Sequence, residues 1–333
     1  MSRSSLRMGI CTSAFLSLVL TGYAQTITTF DVPDSFDTFP EAINPAGDVT
    51  GEYVSLEGPL RSFLRRANGT IIRFNVEGST GTSAKSINSS DEIVGNYTDK
   101  NFLSHGFIRK RDGSFIAFDQ PDAFNTYPMA LNASGQVTGW YTTIAGGPHG
   151  FLRSRDGQFV TFDVPGALTT FAQAINPAGQ ITGYYFAPDN HYYCFVRNSN
   201  GSIGTIHLSG CFPQAMAPSG EVLGFYEPDA HVKGFVRNRE GHVISFYAPG
   251  SLLTVPVGIS AEGQILGRFA DASGVFHAFL RNANGSFTIF DVSGAIQTSP
   301  YAINPSGEAT GQYVDANFMV HGFVRSRETK SHD

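Results

Sequence analysis

His149-Gly150-Phe151-Leu152-Arg153-Ser154-Arg155-Asp156-Gly157-Gln158-Phe159-Val160-Thr161-Phe162 is the stretch that decides the fold. Two short β-rich runs flank an Asp-Gly pair, the signature of a hairpin. The same arrangement returns along the chain, with turn glycines at Gly69, Gly113, Gly157, Gly201, Gly241 and Gly285. Their spacings are 44, 44, 44, 40 and 44 residues. From Thr26 onward one unit is written seven times. A repeat of this length cannot bury its own faces and must stack on its neighbours.

Each copy reads as four strands, a to d. In the third and fourth copies, Ser114 to Phe118 is strand a and Ala130-Leu131-Asn132 is a short strand b. Gln136 to Tyr141 is strand c and His149 to Arg153 is strand d. Asn132-Ala133-Ser134-Gly135 turns b into c, as Asn44-Pro45-Ala46-Gly47 does in the first copy. The second copy puts Asp91 where the others have glycine, and Asp is one of the few residues that can stand in. Four short strands per copy, seven copies and no helical periodicity predict an all-β, seven-bladed β-propeller. It occupies residues 25–333 as one domain. Its ring is closed by pairing the first strand a, from Thr26, with the last strand d, His321 to Arg325.

Asn68-Gly69, Asp112-Gly113, Asp156-Gly157 and their echoes read as two-residue turns with both central residues at positive φ. Counting outward from such turns sets Phe63 opposite Phe74, Phe107 opposite Phe118 and Phe151 opposite Phe162. It also sets Phe30 facing Phe323 across the closure. A glycine recurs inside strand c of every copy, Gly51 and Gly139 among them, which marks close approach of other atoms.

His277-Ala278-Phe279-Leu280-Arg281, with the His-Gly-Phe variants at His105, His149 and His321, resembles the motif of bacterial secreted HAF-repeat proteins. Phe162-Asp163-Val164-Pro165-Gly166-Ala167 and Ile175-Asn176-Pro177-Ala178-Gly179 look like the rest of that repeat. The resemblance covers nearly the whole chain after residue 24 and implies an exported protein. It carries over no catalytic residues. The fifth copy departs most, with Lys233, His207 and Ala217 at the positions of the histidine, aspartate and asparagine.

Residues 1–24 read as a cleaved signal peptide. Arg3 and Arg7 form a basic start, Met8 to Thr21 is apolar, and Gly22-Tyr23-Ala24 presents the small residues of a cleavage site. The protein is therefore expected outside the inner membrane, periplasmic, secreted or at the cell surface. No transmembrane segment remains after cleavage. The remaining chain has 20 Lys and Arg against 28 Asp and Glu, a net charge of −8, with no basic run. That excludes nucleic acid as a natural partner, because phosphate contacts need clustered cations.

No nucleophile elbow, phosphate loop or His-Glu-x-x-His zinc motif is present. No cofactor, metal site or catalytic residue is expected. The recurring His105, His149, His277 and His321 read as structural, each bonding to backbone within its own blade, because a seven-fold repeat spaces them too widely for one metal ion. The recurring arginines (Arg65, Arg109, Arg153 and their equivalents) and aspartates (Asp31, Asp119, Asp163, Asp291) read likewise. Asp31, Asp34, Asp37 and Glu41 read as one solvated loop, and no acid–base cluster in neighbouring copies is evident. One position does break the repeat. After the strand-c glycine stand Trp140, Tyr184 and Phe225 in three consecutive copies. They are the candidate ligand-stacking residues, with core packing as the alternative. Both tight turns of every copy fall on one face of the ring and the a–b and c–d loops on the other, so this long-loop face is the candidate working face. The expected function is that of a monomeric binding protein for a saccharide, a peptide or another envelope component. A polysaccharide lyase or hydrolase and a purely structural repeat protein are the alternatives.

After the leader only two cysteines remain, Cys194 and Cys211, near one end of the same hairpin but out of direct register, with His207 the residue opposite Cys194. They form the candidate disulfide, free thiols being the alternative. Such a bridge contributes on the order of 3 kcal/mol. Thiol titration of the unreduced, denatured protein should find no free thiol; two would rule the bridge out.

Overall fold

The computed structural model describes residues 26–229 and 231–327, so the expected leader and its expected cleavage point lie outside the described residues. Twenty-eight strands, numbered in chain order, form seven four-stranded antiparallel sheets around an axis. The protein is a seven-bladed β-propeller. Blade 1 is β2 (Ser35–Ile43), β3 (Val49–Ser55), β4 (Leu60–Arg65) and β5 (Ile71–Phe74). Blades 2 to 6 span 81–118, 125–162, 169–206, 212–246 and 253–290. Blade 7 joins both ends of the chain: β26 (Gln297–Ile303), β27 (Ala309–Val314) and β28 (Val320–Arg325) are completed by β1 (Ile27–Phe30). From the axis outward each blade runs b, c, d, a.

Strand b is longer than its apolar tail suggests, Asn125–Leu131 in blade 3. In every blade one extra residue bulges out of its pairing with strand c, between Pro40 and Ala42 in blade 1 and between Pro128 and Ala130 in blade 3. Proline at 40, 128, 213, 256 and 300 fits this strand because its inner edge has no ladder partner. The bulge brings the chain over strand c. A Cβ on Gly51 would lie 2.1 Å from the Phe39 carbonyl oxygen, and one on Gly139 equally close to that of Tyr127.

The hairpin register differs by one residue from the two-residue-turn expectation. Arg66 N–H donates to Thr70 O, and Gly69 N–H donates to Arg66 O. Among the central residues only the glycine is left-handed, at φ +91° for Gly69. These are three-residue loops, a turn followed by a glycine bulge. Phe74 therefore lies opposite Ser62, Phe118 opposite Gly106, Phe162 opposite Gly150 and Phe30 opposite Gly322, not opposite the strand-d phenylalanines; Cys194 faces Ile206 instead of His207. A shift of one reverses the face of every side chain. The phenylalanines consequently pair between blades. Phe30 meets Phe63 at 5.9 Å, Phe74 meets Phe107 at 6.4 Å and Phe162 meets Phe195 at 6.1 Å, all edge to face. The recurring arginine caps the same seam. Arg65 stacks over Phe30, Arg109 over Phe74 and Arg197 over Phe162, each at 4.9 Å.

Hydrogen bonds tie the seams as well. Asn88 Nδ2 donates to Asn132 O and Asn132 Nδ2 to Asn176 O, while Asn304 Nδ2 reaches across the closure to Asn44 O at 3.1 Å. A buried threonine at the start of strand b closes the a–b loop by accepting a backbone N–H, as Thr170 does from Val164. Blade 5 has Cys211 at that position, and Cys211 is bridged to Cys194. The disulfide ties down the shortened loop that has lost its threonine. Cys194 also stands where blade 3 has Gly150, matched by Ile206 in place of the ring of Phe162.

Deleting residues 26–32 removes β1, the Phe30–Phe63 seam and the buried Val32. The loss of one large core aromatic alone is about 3–5 kcal/mol, so the melting temperature should fall by roughly 10 °C. An unchanged melting temperature by calorimetry would show that the ring does not depend on this closure.

Candidate functional site

The axial channel is lined by the seven b strands. Its bulge residues are Glu41, Lys85, Met129, Gln173, Gln214, Val257 and Tyr301, around a volume of 290 Å³. The bulge turns a residue out of the sheet and toward the axis. Six residue types stand at these seven positions, only Gln173 and Gln214 being alike, whereas the seam residues repeat, so the channel is where the copies have diverged.

On one arc the channel is charged. Glu41 lies in β2 and not in a solvated loop, and it faces Lys85 of blade 2 with Nζ to Oε1 at 3.6 Å. Lys85 Nζ also bonds Glu52 Oε1, which accepts Ser83 Oγ–H at 2.5 Å. Burial raises the Glu41 carboxyl against the pull of Lys85. Burial disfavours the Lys85 ammonium, but Glu41 and Glu52 outweigh it and hold its pKa above the usual value. Two carboxylates thus share one ammonium, an acid–base cluster in neighbouring copies that sequence reading missed. Its signal was present: Glu41 and Lys85 follow Pro40 and Ala84 at the same repeat position.

Blades 3 to 5 carry aromatic rings on strands b and c, beside the channel-lining residues Met129, Gln173 and Gln214 and not among them. Trp140, Tyr184 and Phe225 each lie flat on the strand-b ring opposite. Trp140 stacks on Tyr127 at 4.1 Å, Tyr184 on Phe171 at 4.7 Å and Phe225 on Phe212 at 5.3 Å. Edge contacts of Trp140 with Phe171 and of Tyr184 with Phe212, at 5.3 and 5.1 Å, join the three blades into one ladder. All six rings are only half-buried. The equivalent pairs elsewhere are polar or mixed: Phe39 with Glu52, Ser83 with Asn96, Val255 with Arg268 and Ser299 with Gln312. Sequence reading found the strand-c member of each pair and missed Tyr127, Phe171 and Phe212, because the length of strand b was not evident.

The recurring histidines are spread around the ring. Each bonds a carboxylate and not the backbone: Nδ1 of His105, His149, His277 and His321 lies 2.7–2.9 Å from Asp119, Asp163, Asp291 and Asp31. The expected histidine and aspartate repeats are thus partners of one another. Burial lowers the pKa of His277 and His321, but the flanking aspartates prevail and leave it raised. Among the described residues no group of three or more metal-ligating side chains converges.

No family model and no curated protein matches this chain. Its shape is similar to several solved propellers. Virginiamycin B lyase from Staphylococcus aureus has a TM-score of 0.60 at 12% identity, with 91% of this chain and 100% of that one covered. The propeller domain of the Trilobed protease from Pyrococcus furiosus has a TM-score of 0.62 at 8% identity, covering 90% and 99%. Pyrococcus horikoshii acylaminoacyl peptidase has a TM-score of 0.63 at 8% identity, covering 89% of this chain but 52% of that one. At these identities the similarity establishes the propeller fold and no activity.

Replacing Lys85 with methionine leaves Glu41 and Glu52 without their shared cation. The expected loss is about 1–3 kcal/mol at pH 7, below that of breaking a fully buried pair because Lys85 and Glu41 are half-buried. Unpaired buried carboxyls have raised pKa values, so the folded state binds more protons than the unfolded chain and the deficit should shrink as pH falls toward 4. Denaturant titrations of Lys85→Met at both pH values check this, and a pH-independent deficit would place the effect in packing.

Proposed function

We propose that this chain is an exported binding protein that takes its ligand at the long-loop mouth of the axial channel. The observation that carries this reading is the half-buried ladder from Tyr127 to Phe225, which spans three blades. Flat rings with one free edge or face stack on sugar faces or on the side chains of a peptide, while Glu41, Lys85 and Gln173 supply directional hydrogen bonds. Export is supported by the leader-like residues 1–24 and by the Cys194–Cys211 bridge, which suits an oxidising compartment.

A catalytic reading has one observation in its favour, the Glu41–Lys85–Glu52 cluster. A carboxyl of raised pKa beside an ammonium can move protons during polysaccharide cleavage. Degradation assays with the parent and Glu41→Gln decide this. Product formation lost in Glu41→Gln would make the protein an enzyme.

Trp140 is the only tryptophan, so its emission reports on the ladder directly. Titration with glycan and peptide panels should shift that emission for a true ligand. Trp140→Ala should then weaken binding of that ligand at least tenfold, about 1.4 kcal/mol, with the melting temperature little changed. Equal loss of stability and binding would make the ladder core.

A further inference from the structure

The ring has two unlike faces. The fourteen a–b and c–d connections carry fourteen aspartates and glutamates and one lysine, Lys100, whereas the thirteen tight turns carry nine carboxylates and five arginines or lysines. On the tight-turn face arginines pair with these acids, as Arg66 does with Asp48 and Asp91 and Arg155 with Glu92. On the long-loop face the acids mostly bond histidines or backbone amides. Asp99 Oδ1 accepts the N–H groups of Asn101 and Leu103, and Asp315 Oδ1 those of Asn317 and Met319. Backbone donors leave the negative charge in place, and they hold both carboxyls below their ordinary pKa.

The same acidic face is also the apolar one. Phe102, Ile144 and Phe318 project from c–d loops at 82%, 91% and 78% exposure, and Leu56, Phe124 and Leu168 stand half out of neighbouring loops. Among the described residues no tight-turn connection exposes a large apolar side chain. Charge repulsion keeps such a face soluble, yet isolated rings at loop tips have no folding role.

Two of those tips are held at a conformational cost. Phe102 and Phe318 lie at φ +63° and +65°, a region that bulky residues rarely adopt. Blade 6 builds the corresponding loop with Gly274 at φ +80°, where no strain arises. Its Asp271 accepts the same pair of backbone bonds as Asp99 and Asp315. Glycine therefore suffices for the loop. Phenylalanine in blades 2 and 7 adds nothing to the turn and places a ring in water on either side of blade 1. Strain retained at an exposed aromatic points to a contact made outside the chain.

We infer that the long-loop face docks a basic polypeptide, whose apolar side chains meet Phe102, Phe318 and Leu56 and whose lysines and arginines meet the surrounding carboxylates. The charge selects this occupant. An anionic bilayer or an acidic polymer is repelled by the fourteen carboxylates, whereas a cationic chain is steered to the face and its apolar residues bury the strained rings. This inference rests on the long-loop face being the working one, but not on the Trp140 ladder, since its anchors lie on blades 7, 1 and 2.

The test uses the chain from residue 25 onward. Probes are an amphipathic lysine–leucine peptide, a glutamate–leucine peptide of the same length, and phosphatidylglycerol and phosphatidylcholine vesicles. The lysine–leucine peptide should bind, should weaken at least tenfold between 50 and 500 mM salt, and should bind at least tenfold more weakly to the Phe102→Gly/Phe318→Gly double variant. Glycine relieves the backbone, so that variant should melt at the same temperature or higher, which separates lost docking from lost folding. Equal binding of both peptides, binding retained by the double variant, or binding to vesicles alone overturns the inference. The two readings fail separately. If a neutral glycan still shifts Trp140 emission when the lysine–leucine peptide does not bind, the channel reading stands and only the docking inference falls.

Discussion

The packing of the strand-c glycine beneath the strand-b backbone and against the strand-d phenylalanine is the constraint on which the ring depends. The strand-d phenylalanine of every blade is fully buried, and strand c offers its neighbour no Cβ. A Cβ on Gly267 would lie 2.3 Å from the Phe279 ring, and one on Gly183 would lie 2.8 Å from that of Phe195. The same economy recurs one strand out, where the ring of Phe162 covers Gly150 and that of Phe118 covers Gly106. Rings sunk into the sheet surface let blades approach closely. The seam is then filled by aromatic edges and capped by an arginine.

This construction explains why the departures travel together. Where Ile206 replaces the outer phenylalanine, Cys194 replaces the glycine beneath it. Cys211 replaces the threonine that would have closed the loop, and the bridge restores the tie. Closure at the chain ends follows the same rule, because Phe30 supplies to Phe63 and Arg65 the ring that Phe74 supplies to blade 2 and Phe162 to blade 4.

A scaffold specified by repetition leaves two regions free to diverge, the inner bulge and the loop tips. At the bulge the divergence is chemical, from the carboxylate–ammonium cluster of blades 1 and 2 to Met129, Gln173 and Tyr301 in other blades. At the loop tips it is a face that is both acidic and apolar. Each lies on backbone whose geometry is already satisfied by glycines, prolines and asparagines elsewhere in the repeat, so side chains there are released from folding.

Much was legible in the residues themselves. The period, the turn glycines and the alternation determined seven copies of four strands, the propeller and the pairing of the chain's ends, because these depend on local backbone preferences repeated in register. Trp140, Tyr184 and Phe225 stood out for the same reason, as departures from a pattern. Side-chain placement was decided only in three dimensions. One glycine bulge in each hairpin shifted the register by a residue and moved the phenylalanine pairs from within blades to between them. The strand-b bulge took Glu41 out of its apparent loop and set it against Lys85, 44 residues away. Histidine found its aspartate across a strand pair, not its own backbone. A one-residue difference in a turn is nearly invisible in sequence, yet in a sheet of period two it reverses which face every side chain occupies.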